Sequence, residues 1–323
     1  MEHLTDNNRL ESKVEVSIVI VNWNTRELLR QCLESIYQNI NQPSFEVLVV
    51  DNGSTDGSTA MVLSNFPHVK LIECKDNLGF VKANNLAVEH CRGEYIILLN
   101  SDTLVLEPGI RDLVNFTRLH PNAGAVGGMV LNPDRTIQYS CRKFINFWTS
   151  LIMHTVNLIK SFKDPISRKF NMIDFDHQSA RKVDWVSGCY MLIRNEWIKR
   201  HGLFDDNIFM FSEDCDLCFR MRDEGYWVYY APVSPIIHLG GQSTRNRIEK
   251  SIIFSFYGNK YFLKKAKGEW ISEFYGYLVP KIWFGFYVFF MGLNFFLNHP
   301  KVSKKYMLFK DLRKEISLHK NKG

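Results

Sequence analysis

Short apolar runs alternate with segments of helical period through the first 120 residues. Val14 to Val21 (VEVSIVIV), Phe45 to Val50 (FEVLVV), Val69 to Cys74 and Glu94 to Leu99 have the length and β-rich content of buried strands. Between the first two, Leu28, Leu29, Cys32, Leu33 and Ile36 recur at helical spacing, with Thr25 or Asn24 placed to cap the helix. Asn77-Leu78-Gly79-Phe80 leads into a helix holding Ala83, Asn84, Asn85 and Leu86, and another helix is expected from about Glu107 to His120. This alternation predicts an α/β fold of parallel β-α-β units, a mostly parallel sheet flanked by helices. Right-handed crossovers bring Asp51 and Asp102, the acids that end two strands, to one sheet edge, where such sheets bind ligands.

Beyond residue 120 the alternation loosens. Ala123 to Leu131 (AGAVGGMVL) reads as a glycine-relieved strand, followed by a turn at Asn132-Pro133-Asp134. Phe147 to Phe162 is an apolar helical stretch that fits a flap, a homodimer face or a helix resting on a membrane. Lys163 to Lys182 reads as a loop. Val183 to Ile193 returns to strand character, with Gly188 where a backbone must approach something closely. In Phe204 to Arg220 (FDDNIFMFSEDCDLCFR), Ser212 is placed to cap a helix whose first turn carries Glu213 and Asp214. The helix dipole favours ionised Asp214, while Glu213 and Asp216 oppose it; Asp216 and Arg220, four apart, read as a surface ion pair. His238 follows apolar residues and precedes two glycines, a place for a metal ligand, a phosphate contact or a structural histidine.

The charge is uneven. The net +6 of the 323 residues combines 24 Lys and Arg against 29 acids in Met1 to Gly241 with 16 against 5 in Gln242 to Gly323. The basic character therefore belongs to the last quarter. Basic residues do not alternate with aromatics in a nucleic-acid stripe, so nucleic acid is not an expected partner. Seven thinly spread cysteines, and a polar Met1 to Lys13 without an apolar core, lead to the expectation of free thiols in a reducing cytosol. Cys215 and Cys218 form a C-x-x-C inside a helical pattern with no second pair, and read as core thiols.

Candidate chemistry centres on Asp102. The buried run Tyr95 to Leu99 stops at Asn100-Ser101-Asp102-Thr103 and presents a carboxylate at a strand end. A hard divalent cation commonly takes one or two carboxylates and fills its other positions with water and phosphate oxygens, although a polar turn alone gives the same letters. Neither G-x-G-x-x-G nor G-x-x-x-x-G-K-[ST] follows the first strand, which disfavours a dinucleotide-binding dehydrogenase and a P-loop NTPase.

Seven strings occur in one order: VSIVIVNWNT at 16–25, VVDNGSTDGS at 49–58, NLGFVKANN at 77–85, YIILLNSDT at 95–103, VDWVSGCYMLIR at 183–194, FDDNIFMFSEDCDLCFR at 204–220 and IIHLGGQS around His238. Together they resemble the family 2 glycosyltransferases of the Rossmann-like GT-A fold, in their rhamnosyltransferase-like branch. The resemblance implies inverting transfer of a sugar from a nucleotide-diphosphate donor to a hydroxyl. It implies that Asp51 reads the nucleotide base and that Asn22, Trp23 and Asn24 line the nucleotide pocket. Gly53, Asn77, Asn85 and Ser101 fall on the donor side. Asp102 holds Mg²⁺ or Mn²⁺ on the diphosphate, with His238 beside it; Asp214 is the catalytic base, and Gly188 and Glu213 lie on the acceptor side. Asn100-Ser101-Asp102 departs from the family's D-x-D by one carboxylate. A non-catalytic nucleotide-sugar-binding scaffold is the competing reading, and a nucleotidyltransferase lacks its glycine-rich basic loop here.

The expected organisation is a polar leader (1–13), a GT-A domain (14–245, with a nucleotide-sugar half 14–131 and an acceptor half 132–245) and a helical region (246–323). Trp270 to Leu297 is dense in Trp, Phe and Tyr. Ile282 to Leu297 is shorter than the roughly 20 residues of a span. Asn298 to Gly323 carries eight Lys and Arg against two acids. This reads as attachment to an anionic membrane surface, the inner face of the cytoplasmic membrane, with a packed helix pair or dimer face as the alternative. A weakly favoured dTDP-rhamnose donor and a lipid-linked envelope glycan as acceptor follow from the resemblance alone.

Overall fold

The computed structural model describes residues 14–155, 165–240, 248–297 and 299–320. The leader, the 156–162 part of the apolar stretch and Gly241 to Ser243 lie outside the described residues. A central sheet is built from β1 (Val16–Asn22), β2 (Phe45–Asp51), β3 (Lys70–Glu73), β4 (Tyr95–Leu99), β6 (Ala123–Gly127), β9 (Arg181–Val183), β11 (Tyr190–Arg194) and β12 (Trp227–Tyr230). Its order is β3-β2-β1-β4-β11-β6-β12-β9. β11 runs against both its neighbours and β9 against β12; the other pairings are parallel.

The strand letters explain two cores. Val16, Ile18 and Ile20 of β1, with Tyr95, Ile97 and Leu99 of β4, enter one hydrophobic cluster; Val19, Ile96 and Leu98 enter the cluster on the other face. Successive strand side chains point to opposite faces, so an unbroken apolar run is what a strand covered on both sides requires. Helix α1 (Arg26–Asn39) buries Leu29, Cys32, Leu33 and Ile36 on one side. Helices α2 (Ser58–Asn65), α3 (Phe80–Val88) and α4 (Arg111–Leu119) complete the alternating half.

Several expectations change. The helix expected from Glu107 begins at Arg111, because Pro108 and Gly109 (φ +72°) keep the chain out of the helix until then. The single strand over 123–131 divides into β6 and β7 (Val130–Leu131), which belong to different sheets. Val183 to Ile193 divides into three: β9 ends at Val183, β10 (Trp185–Val186) pairs with β8 (Cys141–Arg142), and β11 starts at Tyr190. The loop expected over 163–182 holds helix α6 (Pro165–Phe170), anchored by buried Phe170, and the polar edge strand β9. Only pairing to β12 makes β9 a strand, and charged residues are ordinary on an edge.

A second sheet, β5-β13-β7, joins β5 (Thr103–Val105), β13 (Ile236–His238) and β7. Helices α5 (Phe147–Met153), α7 (Asn195–His201) and α8 (Glu213–Asp223) pack around the second half. Three long helices follow: α9 (Ile248–Lys267), α10 (Glu269–Leu297) and α11 (Pro300–Lys320), with a hydrophobic cluster of their own.

Helix α9 also packs into the sheet's core. Its Phe262 joins the sheet's core with Cys218 and Met221 of α8. Lys265 Nζ stands 2.5 Å from Asp216 Oδ1 and 3.1 Å from Asp205 Oδ2. Asp216 is fully buried and also paired to Arg220 at 3.0 Å, so the expected surface ion pair is an interior one. Residues 215 to 218 are all buried, so α8 is covered on every side there, and α9 with Lys265 supplies the cover over Asp216. A buried carboxylate stripped of a partner is costly. Lys265→Met is therefore expected to cost about 2 kcal/mol, read as a fall of several degrees in Tm by calorimetry, whereas Lys264→Met, at a more exposed pair with Glu269, should leave Tm nearly unchanged.

Candidate active site

A cavity of about 310 Å³ opens at the carboxyl ends of the central strands. Trp23, Asn52, Asn77, Asn100, Ser101 and Asp102 come to its wall from the β1–β4 half of the chain, and Gly188, Met210, Phe211, Glu213 and Asp214 from the later segments, with His238 also on the wall. Its parts are set by strand register.

In the β1–β4 half, the parallel pairing of β1 with β2 places Asn22 opposite Asp51. Asn22 Nδ2 donates to Asp51 Oδ1 at 2.8 Å, the Ser54 N–H donates to Asp51 Oδ2 at 2.9 Å, and Thr25 Oγ1 donates to Asn22 Oδ1 at 2.7 Å. Asn24, at φ +53°, accepts the Thr55 N–H on its side-chain oxygen at 2.8 Å. Gly53 sits at φ +75°, where a Cβ would lie 2.9 Å from the Asp76 carbonyl carbon. Asn22 and Asp51 are buried behind the wall, with Gly53 half-buried and Asn24 exposed beside them, while Trp23, Asn77 and Ser101 reach the cavity. Asn85 is not among the lining residues: its amide closes two hydrogen bonds, both 3.0 Å, with the backbone of Phe204. Thr25 does not cap α1 with its side chain; its hydroxyl is taken by Asn22 and, at 3.0 Å, by Ser101.

Asp102 and His238 meet because β5 begins immediately after Asp102 and pairs antiparallel with β13, Thr103 opposite His238. The imidazole Nε2 lies 3.2 Å from Asp102 Oδ1, and Asn100 Nδ2 is 3.3 Å from the same nitrogen. Gln138 decides the tautomer. Its Nε2 donates to the Asn132 side-chain oxygen at 3.0 Å and to the His238 carbonyl at 3.1 Å, so its Oε1 must accept, at 2.6 Å, from His238 Nδ1–H. With Nδ1–H committed to Gln138, Nε2 is the ring nitrogen left facing the carboxylate and the one available as a ligand. Two ligand atoms about 2.1 Å from one ion and at right angles lie about 3 Å apart. The pair therefore fits a divalent cation, and Gln138 is the outer partner that such a histidine ordinarily has. Among the described residues no group of three or more His, Cys, Asp or Glu is gathered for a metal, so this pair leaves most positions of a cation to other oxygens, water and substrate included.

In the later segments, Phe211 and Ser212 both have left-handed φ values, +68° and +70°, immediately before α8. Such strain is stored where surroundings over-determine it. Here α9 does so: a Cβ on Gly258 would lie 2.4 Å from the Phe211 carbonyl oxygen, and Ser212 Oγ donates to Asn259 Oδ1 at 2.7 Å. Ser212 occupies the cap position without a side-chain capping bond, because its hydroxyl has turned to Asn259. The turn presents Glu213 and Asp214 to the cavity. Asp214 accepts the Gly188 N–H at 3.2 Å and the Cys215 N–H at 2.9 Å. The close approach expected at Gly188 is this one, and it is loose: a Cβ there would meet nothing nearer than Asp214 Cβ at 3.9 Å.

Burial decides the electrostatics. It pushes the Asp214 carboxyl up from its ordinary value, against the opposing pull of the Arg142 charge and the Gly188 and Cys215 N–H groups. Burial, then the Asp214 charge, pushes Glu213 well up. The balance between helix dipole and neighbouring acids expected at Asp214 is thus decided by burial, which the residue pattern did not show. Glu213 is 7% exposed and its Oε2 has no hydrogen-bond partner among the described residues. Cys215 and Cys218 are buried free thiols, also pushed up by burial.

The family model for glycosyl transferase family 2 matches residues 17–202, more than half of the chain. The chain belongs to glycosyl transferase family 2. Among relatives, it is 29% identical over 241 residues to the N-acetylglucosaminyl-diphospho-decaprenol L-rhamnosyltransferase of Mycobacterium tuberculosis, covering 70% of this chain and 76% of that protein. It is 24% identical over 247 residues to rhamnosyltransferase WbbL of Escherichia coli K12, covering 73% and 88%. The mannosyltransferase PcManGT of Pyrobaculum calidifontis, solved with GDP-Man and Mn²⁺, superposes with a TM-score of 0.53 at 16% identity over 94% of this chain and 86% of that one. GalNAc-T7, solved with UDP, GalNAc and Mn²⁺, gives 0.54 at 15% identity over 78% and 50%. The fold is GT-A, and the chain is a glycosyltransferase.

Sequence reasoning missed Gln138, Asn52 and Arg142. Gln138 follows a turn and meets His238 only through the β7–β13 pairing, so no spacing rule points to it. Since Glu213 and Asp214 hold their protons more tightly folded than unfolded, they weaken the fold increasingly as pH rises above the ordinary carboxyl range. Glu213→Gln should raise Tm by a few degrees near pH 8, with the gain vanishing near pH 4; scanning calorimetry across that range reads it.

Proposed function

We propose that this glycosyltransferase works by inversion, moving a sugar from a nucleoside-diphosphate donor to an acceptor hydroxyl, with Asp214 as base and Asp102 and His238 on the diphosphate side. The observation that carries this reading is that the Asp102–His238 pair and the Asp214 carboxylate line one cavity. In that arrangement Asp214 takes the proton of the acceptor hydroxyl as its oxygen attacks the anomeric carbon. The bond to the diphosphate breaks on the opposite face and the electron pair leaves with it, so one displacement inverts the centre without a covalent intermediate. A carboxyl raised above its ordinary value is a better base for this than a fully solvated one, provided it is ionised at working pH. The Arg142 charge and the two backbone N–H groups favour that ionised form.

Asp102 and His238 would hold Mg²⁺ or Mn²⁺, which when bound neutralises charge on the leaving diphosphate. Two solved neighbours named with Mn²⁺ support a divalent cation. On the nucleotide side, Trp23 and Asn77 would contact the donor directly. Asp51, whose two oxygens each accept one bond from the chain, keeps further lone pairs for a nucleotide base. Asn22, Asn24 and Gly53 would shape that pocket, Ser101 would face the donor, and Gly188 and Glu213 would border the acceptor. Asn85 would act from behind, by holding Phe204. Two relatives named as rhamnosyltransferases support a rhamnosyl donor, such as dTDP-rhamnose, and a lipid-linked envelope glycan as acceptor, met at the inner face of the cytoplasmic membrane.

Asp214→Asn should lower kcat by about 10²–10⁴-fold while leaving the donor Kd within a few-fold, measured by turnover with a nucleotide-sugar panel and by calorimetry. A fully active variant would falsify the assignment. In the unsubstituted enzyme kcat/KM should rise with pH along an acid limb lying above the usual Asp value near 4, since Asp214 must lose its proton. His238→Ala should raise the Mn²⁺ concentration needed for half-maximal activity by about 10-fold or more, and Gln138→Leu by a smaller factor in the same direction. Activity of both variants independent of added metal after chelation would remove the metal from the mechanism.

A further inference from the structure

Helix α10 carries two apolar faces, and only one is used inside the molecule. Ser272, Tyr275, Val279, Trp283 and Phe290 are buried. Tyr275 Oη is hydrogen-bonded to buried His154 at 2.9 Å, and Trp283 Nε1 donates to the His154 carbonyl. On the outer side Trp270, Phe274, Tyr277, Phe284, Val288 and Phe295 stay exposed, from 43% to 83%. With Lys281 and Met291 they recur every four and three residues along the whole helix, one continuous stripe on a 3.5-residue period. An exposed apolar surface of that extent marks an interaction site.

We propose that this stripe is an in-plane docking surface for an anionic lipid bilayer, with α10 lying along the headgroup boundary. The inference deepens the membrane partner of the preceding reading and rests on it for that partner's relevance to the enzyme. Three observations select the occupant. The stripe is aromatic, and basic side chains share its face: Lys281 Nζ lies 3.9 Å from the Tyr277 ring centre, and Arg313 Cζ 5.4 Å from that of Phe284. Aromatic bodies with Lys and Arg heads beside them match an interface of acyl chain and anionic headgroup. A second copy docked on the same stripe would bring Lys281 and Arg313 against like charges, in a segment with 16 Lys and Arg and 5 acids. Spanning is disfavoured although α10 is long and apolar enough for it. Its inner face is pinned to α5, α9 and α11, and α9 is ion-paired to α8 through Lys265. Crossing a bilayer would break that packing or drag buried charge with it.

The test uses the full chain and sedimentation with vesicles of phosphatidylcholine alone or with about one third phosphatidylglycerol. Binding should be about 10-fold or more tighter to the anionic vesicles and should weaken on raising salt from about 0.1 to about 0.5 M. The double variant Phe284→Glu, Phe295→Glu, checked for unchanged circular dichroism, should lose at least about 10-fold in vesicle affinity while its donor binding, read by calorimetry, stays unchanged. Alkaline carbonate should release the bound protein. Equal binding to both vesicle types, no binding, or retention after carbonate overturns the proposal. So does a dimer in analytical ultracentrifugation that the double variant abolishes, which would give the stripe to a second copy. Failure of Asp214→Asn to impair transfer would overturn the catalytic reading and leave these binding results standing.

Discussion

The arrangement of this active site depends on one strand pairing. β4 lies between β1, which runs with it, and β11, which runs against it, so the end of β4 meets the beginning of β11. Tyr190 pairs with Leu99, and the Asn100 N–H donates to the Cys189 carbonyl at 3.1 Å. The four residues after β4 carry Asp102, proposed for the diphosphate side, and the residues before β11 carry the N–H that holds Asp214. Had β11 been parallel to β4, its start would lie at the opposite edge of the sheet, and the two carboxylates would not share a cavity. Every other part of the site adjusts positions that this antiparallel pair has already brought together.

The two sides of the cavity solve different electrostatic problems. On the Asp102 side the carboxylate meets an imidazole whose outer nitrogen is committed to Gln138, leaving Nε2 and Oδ1 3.2 Å apart, a pair that a cation would complete. On the Asp214 side two adjacent carboxyls are buried at a helix start, and desolvation outweighs the dipole and the two N–H contacts. A solvated carboxylate at the same helix end would be easier to fold and weaker as a base. The unsatisfied Glu213 oxygen is the clearest sign that stability has been given up in this place.

The C-terminal helices are tied into this arrangement. Gly258 and Asn259 of α9 receive the strained Phe211–Ser212 turn, and Lys265 neutralises buried Asp216 one turn further along α8. The region outside the matched family segment therefore supports the acid pair from behind, while the outer face of α10 stays exposed among the described residues. One bundle meets two demands: its inner surface is packed like a core, and its outer surface is aromatic and basic.

The letters alone determined a great deal. Unbroken apolar, β-rich runs ending in Asn-Ser-Asp and Asp-Asn-Gly read as buried strands, and their alternation with amphipathic helices predicts a mostly parallel sheet whose strand ends share one edge. They also singled out Asp102, Asp214 and His238 as candidates, through the resemblance carried by the ordered strings rather than through any one strand or helix end. What tertiary structure decided were properties that depend on neighbours distant in sequence. Gln138 reaches His238 only through strand register, and Asp216 is interior only because α9 covers it. Asn85 turns away from the cavity toward Phe204, and Ser212 gives up its cap for Asn259. The charge state of Asp214 belongs to the same class, since desolvation is set by everything packed around a group, whereas a helix dipole can be read from the group's own element.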